Sequence, residues 1–197
     1  MVLEMKRMFT TYFYKGKSDY LDTQKKYEIM RTSLYFLISL SLFAAGWITT
    51  GNRLNLLTVV AVLGCLPACK SAVGMIMFLK FKSISKADAV LIEENMEGLF
   101  GLYDMVFTSY EKNFQVDHLV LKDHILCGYS SHEKTDANLC QEHLSKMLLQ
   151  SGHKGLNIKI FKDLNKYTDR LKQMQELEND DSEYRTAVFE TLKSISL

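Results

Sequence analysis

The residue types best suited to chemistry gather between positions 118 and 153 of the chain. All five histidines fall there, together with two of the four cysteines. Thiolate and imidazole groups are preferred ligands of Zn²⁺, and Cys140 and His143 would share one face of a helix. The candidate zinc ligands are Cys127, His132, Cys140 and His143. Their spacing matches no standard zinc motif, so core and surface roles are the alternative interpretation.

Other chemical signatures point away from the common catalytic classes. The sequence contains no Gly-rich phosphate loop and no nucleophile elbow. A net charge of +1 creates no global field that would attract a polyanion, so nucleic acid is not an expected partner. Cys65 and Cys69 lie one helical turn apart in an apolar stretch, where small packing residues are expected, and we expect all four thiols to be reduced.

The periodicity of residues 83–197 predicts a cytoplasmic α+β domain with the order α-β-β-β-α-β-α-α. A helix starts at a capping-box-like Ser85 and ends near Gly98, where the period changes from helix to strand. The three strands that follow are predicted at 102–108, 116–121 and 124–129, a helix at 136–150, a strand near 156–160, and two amphipathic helices near 164–174 and 184–195. About 115 residues are enough for a core of their own.

Residues 32–79 predict a transmembrane helical hairpin. No charge occurs between Arg31 and Arg53, and Lys70 is the single charge from 54 to 79. Each run is long enough to cross a hydrocarbon core of about 30 Å, and the short connection makes the helices antiparallel neighbours. Lysines and arginines concentrate outside the connection, so the positive-inside rule predicts that both termini are cytoplasmic.

Two residues of the second apolar run stand out. Pro67 removes a backbone donor and should kink the helix. Lys70 could contact a substrate, an ion or a partner subunit, or its long side chain could snorkel to the inner interface. Small residues at four-residue spacing favour close helix pairing and a possible homo-oligomer.

Residues 1–31 predict a cytoplasmic arm that is partly helical. Ser18 and Asp19 are cap candidates for a helix that leads into the first span. Aromatic residues between Met8 and Tyr14, set among basic residues, favour a position in the headgroup region, with packing on the globular domain as the alternative.

The element order, together with Val116-Asp117-His118-Leu119-Val120-Leu121, resembles the core of the restriction-endonuclease-like fold, particularly its nuclease-related domains. The resemblance covers about residues 85–162. It implies an acidic residue on the first helix, an Asp on the second strand and a Glu-x-Lys on the third, which together bind Mg²⁺ or Mn²⁺. Glu93, Glu94 or Glu97 would be the first residue, and Asp117 the second and a metal ligand.

The third part of that pattern is missing from this chain. The expected position carries Tyr129-Ser130-Ser131. Glu142 and Lys146 are candidate replacements, although a Glu and a Lys four residues apart are also an ordinary exposed helix pair. The implied catalytic set is Glu94, Asp117, Glu142 and Lys146, and a catalytically silent form of the fold is the alternative.

These patterns predict a membrane-anchored interaction or sensory module whose α+β domain binds a cytoplasmic protein partner, without a cofactor. The alternatives are a membrane-tethered, metal-dependent nuclease or degenerate relative, and an oligomeric channel or transport component.

Overall fold

The computed structural model describes residues 14–53, 55–110, 112–177 and 181–197. The helices are α1 (Tyr20–Thr50), α2 (Leu56–Leu79), α3 (Lys86–Glu94), α4 (Ala137–Gln150), α5 (Leu164–Gln175) and α6 (Ser182–Ile195). The strands are β1 (Gly101–Thr108), β2 (Asn113–Lys122), β3 (Ile125–Tyr129) and β4 (Asn157–Phe161). The described residues form two compact units, one of Leu21–Lys82 and the other of residues 14–20 together with Ser83–Leu197.

The first unit contains two helices that are long and apolar enough to cross a membrane. Their apolar side chains face outward: Ile48 is 83% exposed, Leu56 79% and Leu66 69%. In water such a surface would be strongly unfavourable, whereas lipid tails solvate it. The membrane association predicted from the sequence therefore has structural support.

Close pairing of α1 and α2 depends on small residues. A Cβ atom added at Gly64 would lie 2.8 Å from the Ser39 hydroxyl, and one added at Gly46 would lie 2.8 Å from Leu57. Farther along, Thr32 and Ser71 share a hydrogen bond of 2.8 Å. The helices are therefore antiparallel and in close contact, as small-residue packing in membranes requires.

Pro67 lies within α2, which runs without interruption from Leu56 to Leu79. Lys70 is exposed and precedes Ser71, the partner of Thr32, so Lys70 and Arg31 lie at nearly the same depth along the pair. Arg31 lies 19 residues before Thr50, the end of α1, which is about 29 Å of helix at 1.5 Å per residue. Lys70 thus lies at the end of the uncharged part of the hairpin.

The second unit is built on a mixed four-stranded sheet in the order β1-β2-β3-β4. β1–β2 and β2–β3 pair antiparallel, and β4 pairs parallel with β3 after the crossover through α4. A parallel neighbour needs a long connection, which α4 supplies. The predicted α+β class is confirmed.

Each face of the sheet has its own hydrophobic core. On one face, Leu119 and Leu126 pack with Leu144 of α4 and Val188 of α6. On the other face, Val120 and Cys127 pack with residues of α3 and α5. Alternating side chains of the buried strands supply both cores, because successive residues of a strand point to opposite faces.

Some boundaries differ from those predicted. α3 ends at Glu94 rather than near Gly98, because the Asn95 amide side chain bonds the Leu91 carbonyl and closes the helix. β2 begins at Asn113 rather than at Val116, since its first residues pair with the end of β1. The predicted headgroup position of Met8 to Phe13 lies outside the described residues.

Residues 14–20 belong to the α+β unit. The Tyr103 amide donates to the Gly16 carbonyl at 2.8 Å, which adds a bridge to the outer edge of β1. Lys15 Nζ donates to the carbonyl oxygens of Lys193 and Ser196 at 3.0 and 2.8 Å. Burial lowers the pKa of Lys15.

Candidate functional site

Asp117 lies in β2 and is fully buried. Its Oδ2 accepts the Ser131 amide at 2.6 Å, and its Oδ1 lies 2.9 Å from Nε2 of His132. Both partners belong to the loop after β3, which Ser130 holds in place through its bonds to Gln115 and Phe161. His132, about a third exposed, connects the buried carboxylate with the surface.

Lys162 borders the same group from the end of β4. Its Nζ donates to the His132 carbonyl. Burial lowers the pKa of Lys162, and the negative charge of Asp117 opposes that shift. The ends of the parallel strands β3 and β4 thus bring a carboxylate, an imidazole and an ammonium together, a set that can bind a small polar ligand or transfer a proton.

Two further carboxylates act on Tyr129, the last residue of β3. Burial raises the pKa of Tyr129 to about 12, and Asp88, Asp117 and Asp163 add to the rise. Asp88 of α3 therefore acts on Tyr129, and Glu93 of the same helix adds to the rise that burial causes in the pKa of Tyr103.

His118 is a buried residue held in the core by contacts with two tyrosines. Nδ1 lies 2.7 Å from the Tyr167 hydroxyl, and the ring packs against Tyr103 at a centroid distance of 4.3 Å. Burial lowers its pKa to about 3, so the ring is neutral at physiological pH. A Cβ atom at Gly101 would come within 2.3 Å of Nε2, so the glycine leaves the space that the imidazole fills.

The other predicted catalytic residues lie elsewhere. Glu94 is exposed at the end of α3. Glu142 and Lys146 of α4 line a pocket of about 200 Å³ with His143 and Phe114, and Asp117 is not part of its lining. The structure therefore brings Glu142 and Lys146 together but places Asp117 with His132 and Lys162. Lys162 was missed because it lies 45 residues after Asp117 and no local motif joins them.

The zinc interpretation is wrong. Cys127 packs on the face of the sheet covered by α3 and α5, whereas Cys140 packs on the opposite face. His143 stacks against Phe114 at 5.5 Å, and His132 bonds Asp117. The four side chains do not converge, because Cys127 and Cys140 lie on opposite faces of the sheet and spacing along the chain does not determine which face α4 covers.

The residues around Asp117 do not fit a divalent-metal centre. Both carboxylate oxygens already accept hydrogen bonds. Within the described ranges, no three His, Cys, Asp or Glu side chains are arranged to hold a metal ion. The Mg²⁺ or Mn²⁺ site implied by the resemblance therefore has no geometric support among these residues.

A second polar group lies inside the hairpin. Glu28, 3% exposed, accepts hydrogen bonds from Gln24 and Arg31, and Arg31 Nε donates to Ser71 Oγ at 3.3 Å. With the Thr32–Ser71 bond, this network joins α1 to α2. Buried charge is tolerated in such a place because it is paired and hydrogen-bonded.

No family model, curated protein or solved structure matches this chain.

Proposed function

We propose that this protein is a membrane-anchored interaction module, in which the α1–α2 hairpin spans the bilayer and the α+β domain binds a partner on the cytoplasmic side. The observation that carries the proposal is the outward-facing apolar surface of both hairpin helices. Only about a sixth of the most apolar stretch of each helix is buried, which fits helices solvated by lipid rather than core helices.

The burial and hydrogen bonding of the Asp117 carboxylate favour a binding role over catalysis. The carboxylate is held by Ser131 and His132 in a fully buried position, where it stabilises the loop after β3. Hydrogen bonds to both oxygens of a buried carboxylate contribute to stability, so the role of Asp117 is to position His132 and the loop after β3.

Cysteine labelling in intact cells tests anchoring and orientation. In a Cys65→Ala/Cys69→Ala background, Asn52→Cys should react with a membrane-impermeant maleimide, and Lys172→Cys should react only after permeabilisation. The background without either new cysteine is the matched control, since Cys127 and Cys140 are buried. The reverse labelling pattern would contradict the orientation, and release of the protein by alkaline carbonate would contradict the anchor.

A nuclease is the second candidate, favoured by one observation. Asp88, Asp117 and Lys162 lie around the ends of β3 and β4, where the resemblance implies a catalytic cluster. Purified full-length protein in detergent would be incubated with plasmid DNA and Mg²⁺ or Mn²⁺, beside Asp88→Asn and Asp117→Asn. Asp169→Asn, an exposed change on α5, is the matched control. Cleavage that both test variants lose and the control keeps would favour the nuclease over the interaction module.

A further inference from the structure

The two edges of the sheet differ in how they are covered. The outer edge of β1 is bridged by the chain itself: Tyr103 donates to Gly16, and Leu197 donates to the Val106 carbonyl at 2.8 Å. β4 is the opposite edge, and no strand of the described residues pairs with its outer side. Exposed sheet edges are templates for strand addition unless something blocks them.

The backbone direction along β4 identifies the groups that face outward. The Asn157 amide bonds the His124 carbonyl, and the Phe161 carbonyl accepts from Ser130, so both residues face β3. Alternation along a strand then turns the N–H and C=O groups of Ile158 and Ile160 outward. The Gln141 side chain accepts the Ile160 amide at 3.0 Å, in the way that the carbonyl of a neighbouring strand would.

A groove follows this edge. It has a volume of about 440 Å³ and lies between β4 and α4. Its apolar lining is Leu149, which is 56% exposed, and the partly buried Ile158. Every second side chain of an added strand would enter the groove and cover these two residues.

The charges around the edge of β4 indicate which class of partner can bind there. The groove lining carries one carboxylate, Glu142, and one ammonium, Lys146, and the exposed Lys159 on β4 and Lys154 just before it make the edge positive on balance. A second copy paired through the same edge would bring lysines together, which is how natural edges resist self-association. Single-stranded nucleic acid is held mainly by stacking on aromatic rings, whereas the apolar lining here is aliphatic.

We infer that the outer edge of β4 binds an extended acidic peptide by strand addition, with alternate apolar side chains in the groove. This inference rests on the proposed function and names the partner class of the interaction module. Main-chain hydrogen bonds to Ile158 and to the carbonyl of Ile160 supply affinity, since Gln141 already accepts the Ile160 amide, and the groove and the lysines supply selectivity.

The test uses the full chain in detergent micelles and a fluorescein-labelled ten-residue peptide of alternating Glu and Val. We expect saturable binding by fluorescence anisotropy, weakened about tenfold by the double change Lys146→Glu/Lys159→Glu, a loss equivalent to about 1.4 kcal/mol. Lys172→Glu, an exposed lysine on α5, is the matched control and should bind like the unmodified protein. Absence of binding, or equal binding by the double variant, would overturn the inference.

N-methylation of the peptide backbone tests strand addition without altering the fold of the protein. Two versions carry N-methyl groups on odd or on even residues, and strand pairing requires that one version loses binding while the other keeps it. Equal affinity of both versions would overturn the inference. So would binding of a labelled twenty-nucleotide DNA strand by a protein that does not bind the peptide. The labelling experiment on Asn52 and Lys172 is independent, so failure of the peptide experiment alone leaves the proposed function standing.

Discussion

The hairpin and the α+β unit place apolar and polar residues in opposite ways. In the hairpin, large aliphatic residues such as Leu37 and Ile48 are exposed, while Glu28 and Ser71 are buried between the helices. In the α+β unit, Leu119 and Leu144 are fully buried, and exposed lysines border β4. The distribution in the α+β unit is that of a protein surrounded by water, whereas the distribution in the hairpin fits helices long and apolar enough to cross a membrane.

The largest expected effect is a loss of stability on truncating a core side chain. The matched variant truncates an outward side chain of the hairpin, so the two regions are compared directly. Leu144→Ala should destabilise the α+β unit by about 2 to 5 kcal/mol, because it leaves a cavity against β2. Leu66→Ala, an outward position of α2, is the matched control and should leave the same transition unchanged. Urea unfolding followed by far-ultraviolet circular dichroism measures both. Equal losses would contradict the assignment of Leu66 to a lipid-facing surface.

The buried ion pair offers the next test. Glu28→Ala removes one partner of Arg31 and should destabilise the hairpin by about 1.5 to 3 kcal/mol, because a hydrogen bond to a charged group between the packed helices is lost. The thermal stability of the full chain in mild detergent measures the loss. Glu28→Gln keeps an acceptor for Arg31 and should lose less. If the Ala and Gln variants were equally stable, the network would not hold the helices together.

The α+β unit should lose stability below pH 6.5. In the folded state the pKa of His118 is about 3, against 6.5 for the free side chain, so below pH 6.5 the unfolded chain binds a proton that the folded chain excludes. The loss should approach about 1.4 kcal/mol per pH unit between those two values and level off below the lower one. His118→Gln should show a flatter profile in urea unfolding between pH 4 and 7. Parallel profiles would contradict the assignment.

The smallest effect is expected at Lys70. Lys70 lies at the depth of Arg31 at the end of the uncharged part of the hairpin, where its side chain can snorkel. Lys70→Leu should therefore leave assembly and the permeability of reconstituted vesicles unchanged. A loss of oligomer or of ion flux in this variant would favour the channel or transport alternative.

Local patterns were enough to predict much of the chain. The hairpin follows from two long uncharged runs, and the α+β class follows from periods of 2 and 3.6 residues in the segments after Ser83. The packing of residues 14–20 on the α+β unit was predicted only as an alternative to a headgroup position, because a bridge between Gly16 and Tyr103 joins positions far apart in the sequence. The site was predicted only at Asp117, and its partners His132 and Lys162 carry no motif that links them to it.

The sequence by itself determined which region consists of long apolar runs and which alternates apolar with polar residues, because the hydrophobicity of a run is a property of its residues alone. Only the tertiary structure decided which polar groups meet. Strand register set His132 against Asp117, and sheet order placed Lys162 beside them and left β4 at an edge. Those outcomes depend on contacts between distant segments, and such contacts form only when whole faces of helices and sheets are buried together.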